Sequence, residues 1–476
     1  MLEFIYLSNI TWHTDQWFLF QFYVIFVWIA MLPRMILAGV FYQLKNRKLI
    51  QNYPLTKKDA TVVLTIYKED PIILEQCIAK VRRALEIGCK KFAIIAIIDG
   101  WQNDDFDSEQ YKITQRYADV VLGTDARNKR KNLRALLKEA RKRGVLYDIT
   151  IFLDSDTIPK DDQVVLNLLA PFSDPRIGGA TTAQLVHNPK TLSERISFWL
   201  EDARLNSSMA AASLFGQVAC LPGRMYAVKT SLVEHRMDEL VNDSFSYFGF
   251  MRRSCIAGDD RVITNFILEA GYKTVLVPEA VITTLAPATF KQTFKMWVRW
   301  GRTSQGYTLR SPWLHHYPFA FFVYWTDILV SLFTVGIVAL YWPYQMLWGE
   351  THRPIMQALT VALLGMMLTM AIRQYPHLHK YKRDWSVLPA FVLVVTYAQF
   401  IRVWALMTQH KVGIWGSRQG ADTGKKDDFV RILSVKSAIE PIKPILITTT
   451  ASPAPINNPP ATVQNHASHQ LEETEL

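Results

Sequence analysis

Cysteine is scarce in this chain. The four copies, Cys77, Cys89, Cys220 and Cys255, form no CxxC pair. That excludes a disulfide framework and a cysteine-based zinc site, and they read as reduced thiols of a cytosolic domain. No block of lysine and arginine resembles a nucleic-acid module, although 53 Lys+Arg against 42 Asp+Glu give a formal net charge of +11. Such a surplus suits nucleic acid, anionic lipid or a phosphorylated small substrate. Here the basic residues flank apolar runs and fill one short helical pattern. The expected partners are therefore lipid headgroups and nucleotide phosphates, with no nucleic acid. No internal repeat is evident. The first apolar run lacks a basic n-region and a small-residue cleavage site, so it reads as a retained anchor rather than a signal peptide.

What is present is a segregated chain. Of its 476 residues 50% are hydrophobic, close to an ordinary soluble protein, but the apolar runs gather on both flanks. Residues 17–43 are long enough to span a bilayer. Lys45, Arg47 and Lys48 follow this run, while Glu3 and Asp15 precede it. The positive-inside rule then puts the following domain in the cytosol and residues 1–16 outside. There, Asn9-Ile10-Thr11 is a glycosylation sequon. Three more apolar runs lie at 318–343, 355–373 and 386–408, giving a transmembrane region over 318–408. A basic segment covers 409–436. From 437 to 476 the chain turns to Pro, Thr, Ala and Asn, which reads as a disordered tail by composition.

The middle, residues 55–285, alternates in type. TVVLTIY (61–67), FAIIAIID (92–99) and ITIFLD (149–154) each fit a strand buried on both faces. Helical patterns separate them, which argues for a parallel α/β sheet. Ligands on such sheets sit beyond the carboxyl ends of the strands. Those ends carry Tyr67-Lys68-Glu69-Asp70, Asp99-Gly100 and Asp154-Ser155-Asp156. Residues two apart on a strand share a face, so Asp154 and Asp156 can converge on a hard cation, Mg²⁺ or Mn²⁺. A lone DxD is weak, and Asp70 or Asp99 could equally cap a helix. Gly258-Asp259-Asp260-Arg261 opens another helical pattern. Its aspartates read either as caps or as a site in which Asp260 is a general base. Over 286–312, Phe290, Phe294 and Trp297 recur on one helical face, and Lys291, Lys295, Arg299 and Arg302 on another. This is the pattern of a helix lying in a membrane interface, although Arg299 could instead face donor phosphates or an acceptor channel.

Taken in order, YKEDP, IIDG, DSD, GDDRVITN, RW and WGSR resemble the processive family 2 glycosyltransferases, which include hyaluronan, chitin and cellulose synthases. The GDDR segment looks most like hyaluronan synthases. The single N-terminal anchor looks most like the fungal type 2 glycosyltransferases of capsule and hyphal-surface synthesis. The resemblance covers roughly residues 55–420 and implies a GT-A-like nucleotide-sugar domain flanked by transmembrane and interfacial helices. It implies a multi-pass plasma-membrane protein that moves a sugar from a UDP-sugar to a growing glycan by metal-assisted, inverting single displacement. By the same resemblance Tyr67, Glu69 and Asp99 hold uridine, Lys129 and Arg130 meet the nucleotide, and Asp154 and Asp156 handle metal and diphosphate. Cys220, Gly223 and Arg224 contact the acceptor end, and Asp260 is the base beside Asp259. Arg299 and Trp300 end the Q-x-x-R-W motif, and Trp415 and Arg418 belong to a gating segment. Met296 stands where that motif has glutamine, which removes one acceptor contact and weakens the case for long-chain processivity.

Two competing readings stay open. One is a non-processive transferase acting on a lipid acceptor. The other is a transporter or receptor without catalysis, for which carboxylates outside the membrane spans have little use. Topology is also in conflict. Four spans with the N-terminus outside put the tail outside, whereas WGSR and the basic stretch through Lys425 and Lys426 want it inside.

Overall fold

The computed structural model describes residues 14–101, 105–247, 251–255, 257–310, 318–341, 343, 364–411 and 430–436. Eleven strands are named among them. They are β1 (Lys58–Ile66), β2 (Cys89–Asp99), β3 (Val120–Thr124), β4 (Ile149–Asp154), β5 (Thr157–Pro159), β6 (Ile177–Val186), β7 (Met225–Lys229), β8 (Ser244–Tyr247), β9 (Met251–Ser254), β10 (Lys273–Thr284) and β11 (Val430–Val435). Nine form one sheet in the order β11-β3-β2-β1-β4-β7-β6-β10-β5, and β8 pairs with β9 apart from it. Strands β3, β2, β1 and β4 run parallel, which brings their carboxyl ends to one edge.

The reason lies in the Val and Ile runs. In β1, Val62, Leu64 and Ile66 enter one core and Val63 the other; in β2, Ile94, Ala96 and Ile98 divide from Ala93, Ile95 and Ile97 in the same way. A strand apolar on both faces needs a layer on each side. Helices α1 (Thr14–Asn46), α2 (Pro71–Gly88), α3 (Glu109–Tyr117) and α4 (Lys129–Lys142) precede or connect these strands. Asp70 caps α2, accepting from the Ile72 and Ile73 amides at 2.9 and 3.3 Å, and Pro71 supplies the pre-set first turn. The capping reading therefore holds for Asp70.

The sheet is not wholly parallel. Strand β7 runs antiparallel between β4 and β6. At the far edge β11 pairs antiparallel with β3, from Val430 opposite Thr124 to Val435 opposite Val120. Residues 430–435 were expected within a basic segment; here they are a strand. Further helices include α5 (Val164–Leu169), α6 (Leu192–Arg204), α7 (Ala210–Leu214), α8 (Met237–Val241), α9 (Asp259–Glu269), α10 (Phe290–Arg310), α11 (Pro318–Gly336) and α12 (Leu388–Met407), with a short one at Tyr375–Lys380 before α12.

Among the described residues, three helices are long and apolar enough to cross a membrane: Ile25–Asn46, Pro318–Ala339 and Lys382–Met407; shorter apolar helices include Leu364–Arg373. Helix α1 spans the whole expected anchor despite Pro33 within it, and its Phe41 and Ala38 join the α/β core. Helix α10 lies within the expected interfacial region, and its last turns are buried through Tyr307 and Thr308. Helix α12 lies beside α10. Gln305 Nε2 donates to the Arg402 carbonyl at 3.0 Å, Arg302 Nε to Thr408 Oγ1 at 3.0 Å, and the Phe294 and Tyr397 rings stand 4.8 Å apart. At its other end Phe391 stacks on Trp199 of α6 at 4.0 Å.

Candidate active site

Two helix starts face each other across the carboxyl edge of the sheet. Asn128 caps α4, its Oδ1 accepting from the Arg130 amide at 3.1 Å, so Lys129 is the first helical residue. Gly258 caps α9 in the left-handed region, with φ 76° and no side-chain cap bond, which makes Asp259 and Asp260 the first two helical residues. Neither aspartate holds the cap position, although Asp260 Oδ1 accepts from the Arg261 amide in the first turn at 2.8 Å. Their charge sits where a helix N-terminus favours it.

Lys129 Nζ donates to Asp154 Oδ1 at 2.7 Å and reaches Asp259 Oδ2 at 3.1 Å. The Gly223 amide donates to Asp260 Oδ2 at 3.1 Å, with the Cys220 thiol at 3.7 Å from the same oxygen. A Cβ at Gly223 would stand 3.6 Å from Asp260 Oδ2 and from Lys129 Nζ, and 3.7 Å from Asp154 Oδ2. The bare face of this glycine thus marks the point on which three of the candidate side chains converge.

Charge is divided unevenly there. Burial opposes the Lys129 ammonium, but Asp154 and Asp259 outweigh it and hold its pKa above the ordinary lysine value. Burial also opposes ionisation of Asp259, yet Lys129 and Arg130 hold that carboxyl below the usual range. Asp260 goes the other way: burial, then the charge of Asp259, pushes it up against the pull of Lys129. One carboxylate is fixed as an anion and its neighbour is made a better proton acceptor, the pattern of an acid–base site.

Further along the edge, Ser155 Oγ donates to Glu69 Oε1 at 2.9 Å, joining the ends of β1 and β4. Asp99 accepts from the Arg127 amide at 2.7 Å, so it anchors the loop into α4 and caps no helix. Tyr67 lies beside Gly100, its ring 3.5 Å from where a Cβ would stand at that residue, whose φ is +81°.

Asp156 is not on a strand with Asp154; it occupies the turn between β4 and β5. Its Oδ2 accepts from Thr284 Oγ1 at 3.3 Å. Burial and the neighbouring Asp154 charge raise its carboxyl. A hard cation relieves that kind of repulsion. Among the described residues no group of three or more His, Cys, Asp or Glu could hold an ion unaided. Asp154 and Asp156 fit an ion that takes its remaining oxygens from a phosphorylated ligand.

Arg130 departs from expectation. It is fully buried, donating to Asp243 Oδ2 and the Leu240 carbonyl at 3.0 Å, the Ala257 carbonyl at 2.7 Å and the Tyr307 hydroxyl at 2.8 Å. Successive helix residues differ by about 100°. With Lys129 turned to the carboxylates, Arg130 turns into the interior and braces the loop before α9.

Arg224 is engaged by Glu201 Oε1 at 2.9 Å and Gln184 Oε1 at 3.2 Å, and Glu201 also pairs with Arg204 at 2.6 Å. The Arg224 carbonyl accepts from the Asp154 amide at 2.9 Å, so this network positions the strand end. Sequence reading missed Glu201, Arg204 and Gln184, because an i,i+3 charge pair on a helix is ordinary. On α10, Arg299 is half-buried and Trp300 is 41% exposed. Thr303 and Tyr307 of the same helix reach Gly258, within 3.3 and 3.4 Å of its would-be Cβ. Asn9, Trp415 and Arg418 lie outside the described residues.

Comparison with known proteins adds a family. The profile described as "Glycosyltransferase like family 2" matches residues 58–303. An N-acetylglucosaminyltransferase of Rhizobium leguminosarum bv. viciae is 29% identical over 54% of this chain and 57% of its own length. Human hyaluronan synthase 2 is 24% identical over 70% of this chain and 66% of its own. A type 2 glycosyltransferase of Zymoseptoria tritici is 26% identical, over 64% and 65%. The match thus spans between half and two thirds of these relatives. Among solved structures, a mannosyltransferase from Pyrobaculum calidifontis in complex with GDP-Man and Mn²⁺ aligns over 81% of this chain and 99% of its own, with TM-score 0.51 and 16% identity.

Proposed function

The chain belongs to glycosyltransferase-like family 2, and from that premise we propose that it transfers a sugar from a UDP-sugar to a growing glycan, with inversion, on the cytosolic face of the plasma membrane. The observation that carries the reading is the meeting of Lys129, Asp154 and Asp260 at Gly223, with Asp259 paired to Lys129.

Tyr67, Glu69 and Asp99 line the donor end, where they would bind uridine and ribose by hydrogen bonds. Lys129 offers its charge to the diphosphate. Asp154 and Asp156 would hold a divalent cation, Mg²⁺ or Mn²⁺, whose chemistry is to neutralise the departing diphosphate. Asp260 takes the proton of the acceptor hydroxyl. The freed oxygen attacks the anomeric carbon as its bond to UDP breaks on the opposite face. Asp259, held ionised by Lys129, keeps the Asp260 carboxyl receptive to that proton. Cys220, Gly223 and Arg224 form the acceptor side.

The test is product analysis. Purified protein is incubated with individual UDP-sugars and Mg²⁺ or Mn²⁺, and the product is identified and sized. One donor consumed, with a lengthened glycan, is the expected result; no donor consumed by folded protein overturns it. Asp156→Ala should abolish transfer while leaving expression and membrane insertion intact, and near-normal activity with metal would remove Asp156 from the site.

A further inference from the structure

The most unusual cluster outside the site is ionic and lies among the apolar helices. Arg34 of α1 pairs with Asp327 of α11 at 2.7 Å. It also donates to the Val323 carbonyl at 2.9 Å. That pair suffices to tie the two helices. Two more arginines share the place. Arg402 of α12 lies 3.9 Å from the second Asp327 oxygen. Arg373, ending the short apolar helix, is within electrostatic reach of Arg34, Asp327 and Arg402, and meets the Met31 sulfur at 4.0 Å. Three arginines against one aspartate leave two positive charges in surroundings where each is costly. Arg34 Nε is buried with no hydrogen-bond partner among the described residues. Among the described residues, Asp327 is the one carboxylate in ion-pair range of these arginines, so the cluster has room for a further anion.

Its position says which kind. Gln374, next to Arg373, accepts from Trp199 Nε1 of the α/β domain at 3.2 Å. Tyr324, about one helical turn before Asp327, lies under the Arg261 guanidinium at 3.9 Å, and Arg261 follows Asp260 directly. The cluster therefore sits where the apolar helices meet the domain, a position that suits lipid headgroups, one short relay from the proposed base. Guanidinium forks match phosphate oxygens two at a time, and basic pockets at this depth bind phosphorylated headgroups. We propose that Arg34, Arg373 and Arg402 bind the phosphate of a membrane-borne lipid that carries the growing glycan, holding it while the glycan's far end reaches Asp260. The proposal rests on the transferase reading and names the acceptor class.

The test uses the full chain in dodecyl maltoside, titrated calorimetrically with dodecyl phosphate. Inorganic phosphate and a uronate-bearing tetrasaccharide serve as comparison ligands, and UDP affinity is measured alongside. Saturable binding of dodecyl phosphate is expected. The Arg373→Gln/Arg402→Gln variant should weaken it by at least about tenfold, the scale of one charge-assisted hydrogen bond, with UDP affinity unchanged. If the double variant does not fold, Arg402→Gln alone is read, since that side chain is 42% exposed. Equal binding by wild type and variant overturns the proposal. So does inorganic phosphate binding as tightly as dodecyl phosphate, or arginine-dependent binding of the tetrasaccharide alone, which would make this a path for an acidic glycan. Absent UDP binding by wild type would sink the transferase reading instead.

Discussion

At the residue scale, Asp260 carries the sharpest prediction. Asp260→Asn should keep UDP affinity and lose roughly 10²–10⁴-fold in turnover, the usual contribution of a general base. Asp259→Asn should cost less. The pH profile tests the electrostatics. A base works ionised, so turnover is lost as pH falls through its pKa. Burial and Asp259 raise that pKa, so the acid limb should lie above the ordinary carboxylate value of about 4. Asp259→Asn removes a charge that raises it and should move the limb down. Lys129→Met removes a charge that lowers it and should move the limb up. Shifts of the same sign in both variants would show that the pair does not control Asp260. Arg130 makes the opposite case. Arg130→Met strips a buried partner from Asp243 and should cost about 3–5 kcal/mol, as breaking a buried ion pair does. Thermal unfolding should report it, while UDP affinity in folded protein stays. Lost UDP affinity without lost stability would return Arg130 to the donor site.

At the element scale, β11 is the test piece. It pairs with β3, and its Leu433 packs against the core. Ending the chain after residue 436 should change activity little, since residues 437–476 carry six prolines and few large apolar side chains. Ending it after residue 429 should lower the melting temperature, because the β3 edge loses its partner and the apolar face beneath it is uncovered. Equal stability of the two truncations would show that the edge strand adds nothing.

At the scale of the whole molecule, the same pairing bears on topology. A sheet cannot be divided by a bilayer, so β3 and β11 share one side. The chain then crosses an even number of times between them, whereas three apolar runs lie in that interval. Helix α12 is the one expected to stay on the domain's side. It runs along α10, and both its ends are tied to α10 and α6. Exposed Leu393, Tyr397 and Trp404 then meet lipid from the interface. In sealed vesicles, an N-terminal tag should be protected from protease added on the domain's side, and a C-terminal tag cleaved. Protection of both would restore a membrane-crossing α12.

The sequence by itself determined the α/β alternation and the edge on which to look for chemistry. Runs such as FAIIAIID are apolar on both faces, and parallel strands align their carboxyl ends, so Asp99 and Asp154 were legible before any coordinates. The ordered motifs likewise pointed to the family. Only the tertiary structure decided which neighbours meet. Lys129 and Arg130 are adjacent in sequence, and the phase of α4 sends one to Asp154 and the other into the core. The GDD aspartates left the cap to Gly258 because that residue takes the left-handed conformation. Glu201 with Arg224, Arg34 with Asp327, and β11 with β3 join residues 23, 293 and some 300 positions apart. Local pattern carries no trace of such pairs, since burial and charge select them only once the chain has closed around them.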